Sequence, residues 1–201
     1  MSKWIDSIRD GDIILFHTKG FSPISVGIRM LTESFWNHVG MYVSDINKEG
    51  FVIEALGRGV VKTPIEKYIN NKSYILKAIT LRPEAFKDEE EYREGLKLAI
   101  SKMRLSVGQK YDWWAIVYLG ILYISKGFWH KSAKKLPTRF NPLQSRNRFF
   151  CSELICESCY KISSLYDYLF QGKTKQKCDT TTPKDIGKAE TVKFIGGYDA
   201  Y

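Results

Sequence analysis

At 201 residues, with 44% hydrophobic and 26% charged residues, the chain is long enough for one domain with a substantial core, and its composition excludes a collagen-like, low-complexity or largely disordered protein. The net charge of +9 points to an anionic partner, whether membrane surface, nucleic acid or acidic polymer. No apolar leader run precedes the acidic Asp6 and Asp10, so a cytoplasmic or peripherally membrane-associated location is the expectation. A disulfide scaffold is then not expected from the four cysteines at 151, 156, 159 and 178.

Residues 1–10 read as a short helical or irregular lead-in. Gly11-Asp12 is a turn, and Ile13 to Phe16 is a buried strand by length and composition. Ser22-Pro23 looks like a helix start, with an apolar face at Ile24, Ile28 and Leu31. Asn37 to Val43 is a strand, Ser44 to Gly50 a polar turn, and Phe51 to Leu56 a second strand, so the two form a hairpin. Gly57-Arg58-Gly59 turns into Val60-Val61-Lys62. Thr63-Pro64 is read as opening a short helix to about Ile69, and Tyr74 to Leu81 as a strand.

The acidic cluster at 87–91 opens a long helix to about Leu105, with Leu96, Ala99, Ile100 and Met103 on its inner face. Gly108 to Asp112 is a turn. Trp113 to Trp129 is almost all apolar and aromatic. Its 12 uncharged residues from Trp113 to Ile124 would make only about 18 Å of helix, too short to span a bilayer, so a buried helix is the simplest expectation. Between Asp112 and Glu153 there is no acidic residue and there are seven Lys or Arg. The stretch at about 113–148 therefore reads as an aromatic and basic insertion suited to an anionic membrane surface. A helix from Cys151 to about Ile162 follows, then a helical piece near 165–170, a basic loop at 171–177, a short helix from Thr182-Pro183 and a closing strand at 192–195.

Phe149-Phe150-Cys151-Ser152-Glu153-Leu154-Ile155 is the stretch where chemistry is expected. Cys151 begins an amphipathic helix, where unpaired N–H groups and the helix dipole favour a thiolate. A buried core thiol is the plain alternative. Cys156 and Cys159 form a lone C-x-x-C with no second pair to complete zinc coordination, and read as core thiols. A nucleophilic thiol needs a base. Of three histidines, His130 lies among lysines, His17 ends the first strand, and His38 opens a strand beside the small Gly40, which makes His38 the best candidate. Glu54 interrupts an apolar strand, where a carboxylate requires a partner. It is either a salt-bridged core residue or the group that orients His38.

These motifs, in this order, resemble the circularly permuted branch of the NlpC papain-like superfamily, the YiiX/YebB-like cysteine hydrolases, to which lecithin:retinol acyltransferase-like proteins are related. Gly11-Asp12-Ile13-Ile14, Asn37-His38-Val39-Gly40, Val52-Ile53-Glu54-Ala55, Gly108 to Asp112, Phe150 to Leu154 and Thr182-Pro183-Lys184-Asp185 carry the resemblance. It implies a single α+β domain over 1–201, of permuted papain-like fold, with an antiparallel, partly closed sheet packed against the nucleophile helix. It implies acyl transfer to Cys151, with His38 as base and acid, Glu54 as orienter, and Tyr111 with the Cys151 N–H as oxyanion donors. The expected substrate is an amide such as a cell-wall peptide, or a lipid acyl ester, with water or another acceptor. No metal or organic cofactor is implied. A non-catalytic membrane-associated or ligand-binding module of the same fold is the rival. No nucleic-acid recognition motif is present.

The hairpin also carries a geometric expectation. With His38 opposite Glu54 the turn centres on Ile46, and any slip by two residues still leaves both side chains on one face.

Overall fold

Runs of β-branched and aromatic residues form the strands, and the computed structural model describes residues 5–19, 34–69, 71–80, 89–114, 116–117, 148–160, 178, 181–187 and 193–198. A short 3-10 turn at Ile5–Ser7 leads into β1 (Ile13–Thr18). β2 (His38–Ser44), β3 (Gly50–Leu56) and β4 (Gly59–Pro64) follow, then helix α1 (Glu66–Ile69) and β5 (Tyr74–Thr80). Helix α2 (Glu89–Leu105) precedes the two-residue strands β6 (Lys110–Tyr111) and β7 (Arg148–Phe149). The order ends with α3 (Cys151–Tyr160), α4 (Pro183–Gly187) and β8 (Lys193–Tyr198). The expected helix at Ser22-Pro23, the helical piece near 165–170, the loop at 171–177 and nearly all of the insertion, with His130, lie outside the described residues.

Six strands make one sheet in the order β4-β3-β2-β1-β5-β8, antiparallel at every step. Among the described residues its two end strands do not pair, so the sheet is open rather than closed on itself. β6 and β7 form a separate parallel pair. Strand alternation gives the sheet two apolar faces. Ile13, Leu15, Val39, Met41, Ile53 and Ala55 pack with Ala99 and Met103 of α2 and Leu154 and Ile155 of α3. Ile14, Phe16, Val52, Leu76 and Ala78 pack on the other side with Ile65 and Tyr68. The helix that begins at Cys151 thus rests on the first face, as the fold expectation required.

Two expectations need correction. Thr63 and Pro64 remain in β4, paired with Val52 and Phe51, and the short helix starts only at Glu66. Pro64 is tolerated there because β4 is an edge strand and needs no further N–H donor on its outer side. Cys156 is not a free core thiol. It is disulfide-bonded to Cys178, while Cys151 and Cys159 are free and buried. The bridge ties α3 to the segment that leads into α4. Ser152 Oγ reinforces the tie by donating to the Thr181 carbonyl at 2.7 Å. Thr182 and Asp185 then cap α4 reciprocally: Thr182 N–H donates to Asp185 Oδ2 at 2.9 Å, and Asp185 N–H to Thr182 Oγ1 at 3.4 Å.

Candidate active site

The β2–β3 hairpin sets the first two side chains. Its turn is held by Asp45, whose carboxylate accepts from the N–H groups of Asn47 and Glu49 at 2.9 and 3.0 Å. Gly40 lies opposite Glu54, two positions along from the register with His38 opposite Glu54, and the turn centres on Asn47. The slip is by an even number, so His38 and Glu54 share a face. Gly40 is what permits this approach: a Cβ there would meet Val52 Cγ1 at 2.4 Å and Glu54 Cβ at 3.2 Å.

His38 Nε2 lies 2.6 Å from Glu54 Oε2, with side-chain exposures of 16% and 0%. The other carboxylate oxygen, Oε1, accepts from Tyr68 Oη on α1. Phe16 packs against the imidazole at a centroid distance of 5.2 Å and against Tyr68 at 4.8 Å. The buried Thr63 hydroxyl faces the same carboxylate and phenol without a hydrogen bond of ordinary length and angle. Glu54 is therefore a doubly bonded carboxylate in an apolar surround, which explains its place in an otherwise hydrophobic strand.

Cys151 is the first residue of α3 and His38 the first of β2. The two element starts come close enough for the charge of Cys151 to act on the imidazole. Burial alone would lower the His38 pKa. Its interactions with Cys151 and Glu54, with the charges of both, outweigh burial and push it up to about 10. Burial would raise Glu54. The bond and charge of His38, with the hydroxyls of Thr63 and Tyr68, instead hold it below the ordinary carboxylate range. The helix start itself is capped from within: Glu153 Oε2 accepts from Phe150 N–H at 3.3 Å, and Leu154 N–H donates to the Phe150 carbonyl at 3.0 Å.

Tyr111 arrives by a separate route. Gly59, at a φ of 119°, lets β4 run against the backbone of Gln109, where a Cβ would meet the Gln109 carbonyl oxygen at 2.6 Å. Val60 N–H donates to the Gln109 carbonyl at 2.8 Å, and Gly108 N–H to the Val60 carbonyl at 2.9 Å. Tyr111 then pairs with Phe149 across β6 and β7, two residues before Cys151. Its burial, together with the charge of Cys151 beside it, pushes its phenol well up, so the hydroxyl keeps its proton. Trp113 packs on it at a centroid distance of 4.8 Å.

All four sequence-derived residues, Cys151, His38, Glu54 and Tyr111, are thus brought into one neighbourhood. Tyr68 was not read from the sequence as part of it. A tyrosine in a short amphipathic helix looks like core, and only the tertiary register shows its hydroxyl on Glu54. His17 is placed elsewhere, stacked on Phe35 at 4.0 Å with Nδ1 2.6 Å from the Phe35 carbonyl oxygen. Cys159 is buried among apolar side chains, which pushes its thiol up to about 12. Trp113, Trp114 and Val117, at the head of the apolar insertion, are helical but not buried: they are 41%, 58% and 46% exposed. Among the described residues there is no group of three or more His, Cys, Asp or Glu that could hold a metal, and no helix long and apolar enough to cross a membrane.

An open antiparallel sheet with a cysteine-first helix on one face, reached after the histidine strand in chain order, is a permuted papain-like fold. A model of the family described as "Permuted papain-like amidase enzyme, YaeF/YiiX, C92 family" matches residues 7–115, a span that includes His38, Glu54 and Tyr111 and ends before Cys151. The chain belongs to this permuted papain-like amidase family. Among solved structures it is similar to one titled metalloprotein yiiX from Escherichia coli O157:H7, with a TM-score of 0.59 at 18% identity over 94% of this chain and 97% of that one. No curated protein matches the chain.

Proposed function

We propose that the protein is a cysteine hydrolase that forms an acyl-enzyme on Cys151 from an amide substrate. The observation that carries this reading is the 2.6 Å contact of the His38 imidazole with the buried Glu54 carboxylate, supported by the influence of the nearby Cys151 on the same ring. Glu54 holds one ring nitrogen, fixes the ring's orientation and favours its charged form. The thiolate attacks the carbonyl carbon. The developing oxyanion takes hydrogen bonds from the Tyr111 hydroxyl and the Cys151 N–H at the helix start. The imidazolium gives its proton to the departing amine. His38 then removes a proton from water, and hydroxide displaces the sulfur, releasing the acid and the free thiol.

An amide is favoured over an ester by the family's description as amidases, and a peptide is the class of amide we assign. Transfer to an acceptor other than water uses the same intermediate. Association with an anionic membrane is a second reading, favoured by the exposed Trp114 and Val117 followed by the basic run. The Cys156–Cys178 bridge favours an oxidising compartment over a reducing cytoplasm.

Hydrolysis of a set of N-acyl dipeptide anilides tests the assignment. Cys151→Ala and His38→Ala should each reduce kcat/KM by on the order of 10³-fold or more. Retention of most activity by Cys151→Ala would reject it.

A further inference from the structure

We infer that Trp113 forms the wall of the substrate pocket beside Cys151 and selects substrates that carry an apolar group next to the scissile carbonyl. The inference rests on the acyl-transfer reading above and adds the substrate's character to it.

Three observations place the indole. Its ring packs on Tyr111, the residue beside the thiol, at 4.8 Å and a tilt of 60°. Its Nε1–H donates to the Gly57 carbonyl at 3.2 Å. Gly57 follows β3 directly, and the register that sets Gly40 opposite Glu54 brings this end of β3 level with His38. The indole therefore stands at the end of the sheet where His38 begins β2, between the β3–β4 turn and the oxyanion tyrosine.

The indole is also fixed before any substrate arrives. Its one polar atom is already bonded, so its remaining surface is carbon. The fit against Gly57 is tight, since a Cβ there would meet Trp113 Cζ2 at 2.6 Å. Yet 41% of the residue is exposed. A rigid aromatic face held open to water beside a nucleophile is suited to take up an apolar group at little ordering cost. The polar alternatives are poorly served, because the indole has no donor left to offer.

The test uses chloroacetamides of rising apolarity, from N-methyl to N-octyl, whose carbon the thiolate attacks with loss of chloride. Rates are followed by intact mass and peptide mapping. In the wild type the N-octyl reagent should label Cys151 faster than the N-methyl reagent, by on the order of tenfold. That ratio should collapse toward one in Trp113→Ala. It should also fall in Gly57→Ala, which keeps the indole but displaces it. It should persist in Ile46→Ser, which removes an exposed apolar residue at the far turn. A wild-type ratio near one, or a ratio that survives both Trp113→Ala and Gly57→Ala, overturns the inference. Failure of iodoacetamide to label wild-type Cys151 first would instead count against the acyl-enzyme reading, so the two failures are told apart.

Discussion

Breaking the Cys156–Cys178 bridge should destabilise the protein by about 3 kcal/mol, because the bond joins residues 22 apart in sequence and closing a loop of that length in the unfolded chain is worth about 3 kcal/mol at 25 °C. With a urea m value of about 2 kcal/mol/M, the unfolding midpoint should fall by about 1.5 M. The suitable comparison is wild type against Cys156→Ala/Cys178→Ala, each with and without dithiothreitol. Alanine is chosen because both sulfurs are buried and a serine would add an unsatisfied hydroxyl. The wild type should lose midpoint on reduction and the double variant should not respond. Because the bridge and the Ser152–Thr181 bond anchor the same helix, reduction should also slow alkylation of Cys151 at the start of α3. Equal wild-type midpoints in oxidising and reducing buffer would refute the reasoning.

Further outcomes follow from the hydrogen-bond chain. His38 stays charged up to about pH 10, so activity should fall on the alkaline side near that pH, and Glu54→Gln should move the fall down toward the ordinary histidine range. The same raised value means that the pairing of His38 stabilises the fold fully below about pH 6.5 and that this contribution is lost as pH rises through about 10, which urea titrations across that window would record. Tyr68→Phe leaves a buried carboxylate oxygen without its donor. It should cost about 1–3 kcal/mol of stability and shift the acid limb of the rate profile to higher pH, since Glu54 then protonates more readily. Tyr74→Phe, which removes a neighbouring hydroxyl, should not, and an unmoved limb in Tyr68→Phe would make the bond incidental. Co-sedimentation with anionic vesicles should exceed that with neutral vesicles if the basic run meets a membrane. Equal, negligible binding would leave it as an insertion only.

The hairpin was readable because chain alternation fixes which residues share a face, and an error of two positions in register does not change the answer. That is why His38 and Glu54 could be paired from sequence although Gly40, not His38, lies opposite Glu54. Cys151 was readable because a helix start is a local signal. Tyr111 entered only through a family motif, since its closeness to the thiol depends on the parallel pairing of β6 and β7, and strands of two residues have no period to detect. Tyr68 and the bridge were missed for a related reason. Each depends on a contact between segments distant in sequence, and Cys156, in a lone C-x-x-C, was read as a core thiol when it is bonded to Cys178. Trp113 was assigned to a buried helix from its apolar neighbours, but composition cannot say which of those residues face a cleft.

The central claim, a covalent intermediate on Cys151 prepared by His38, is tested most directly by intact mass. The protein is mixed with p-nitrophenyl acetate and quenched in acid, and the adduct is mapped by peptide. Wild-type protein should gain the mass of one acetyl group on Cys151, with little on Cys159, and His38→Ala should acquire it far more slowly. An acetyl group found first on another residue, or formed at the same rate without His38, would contradict the account.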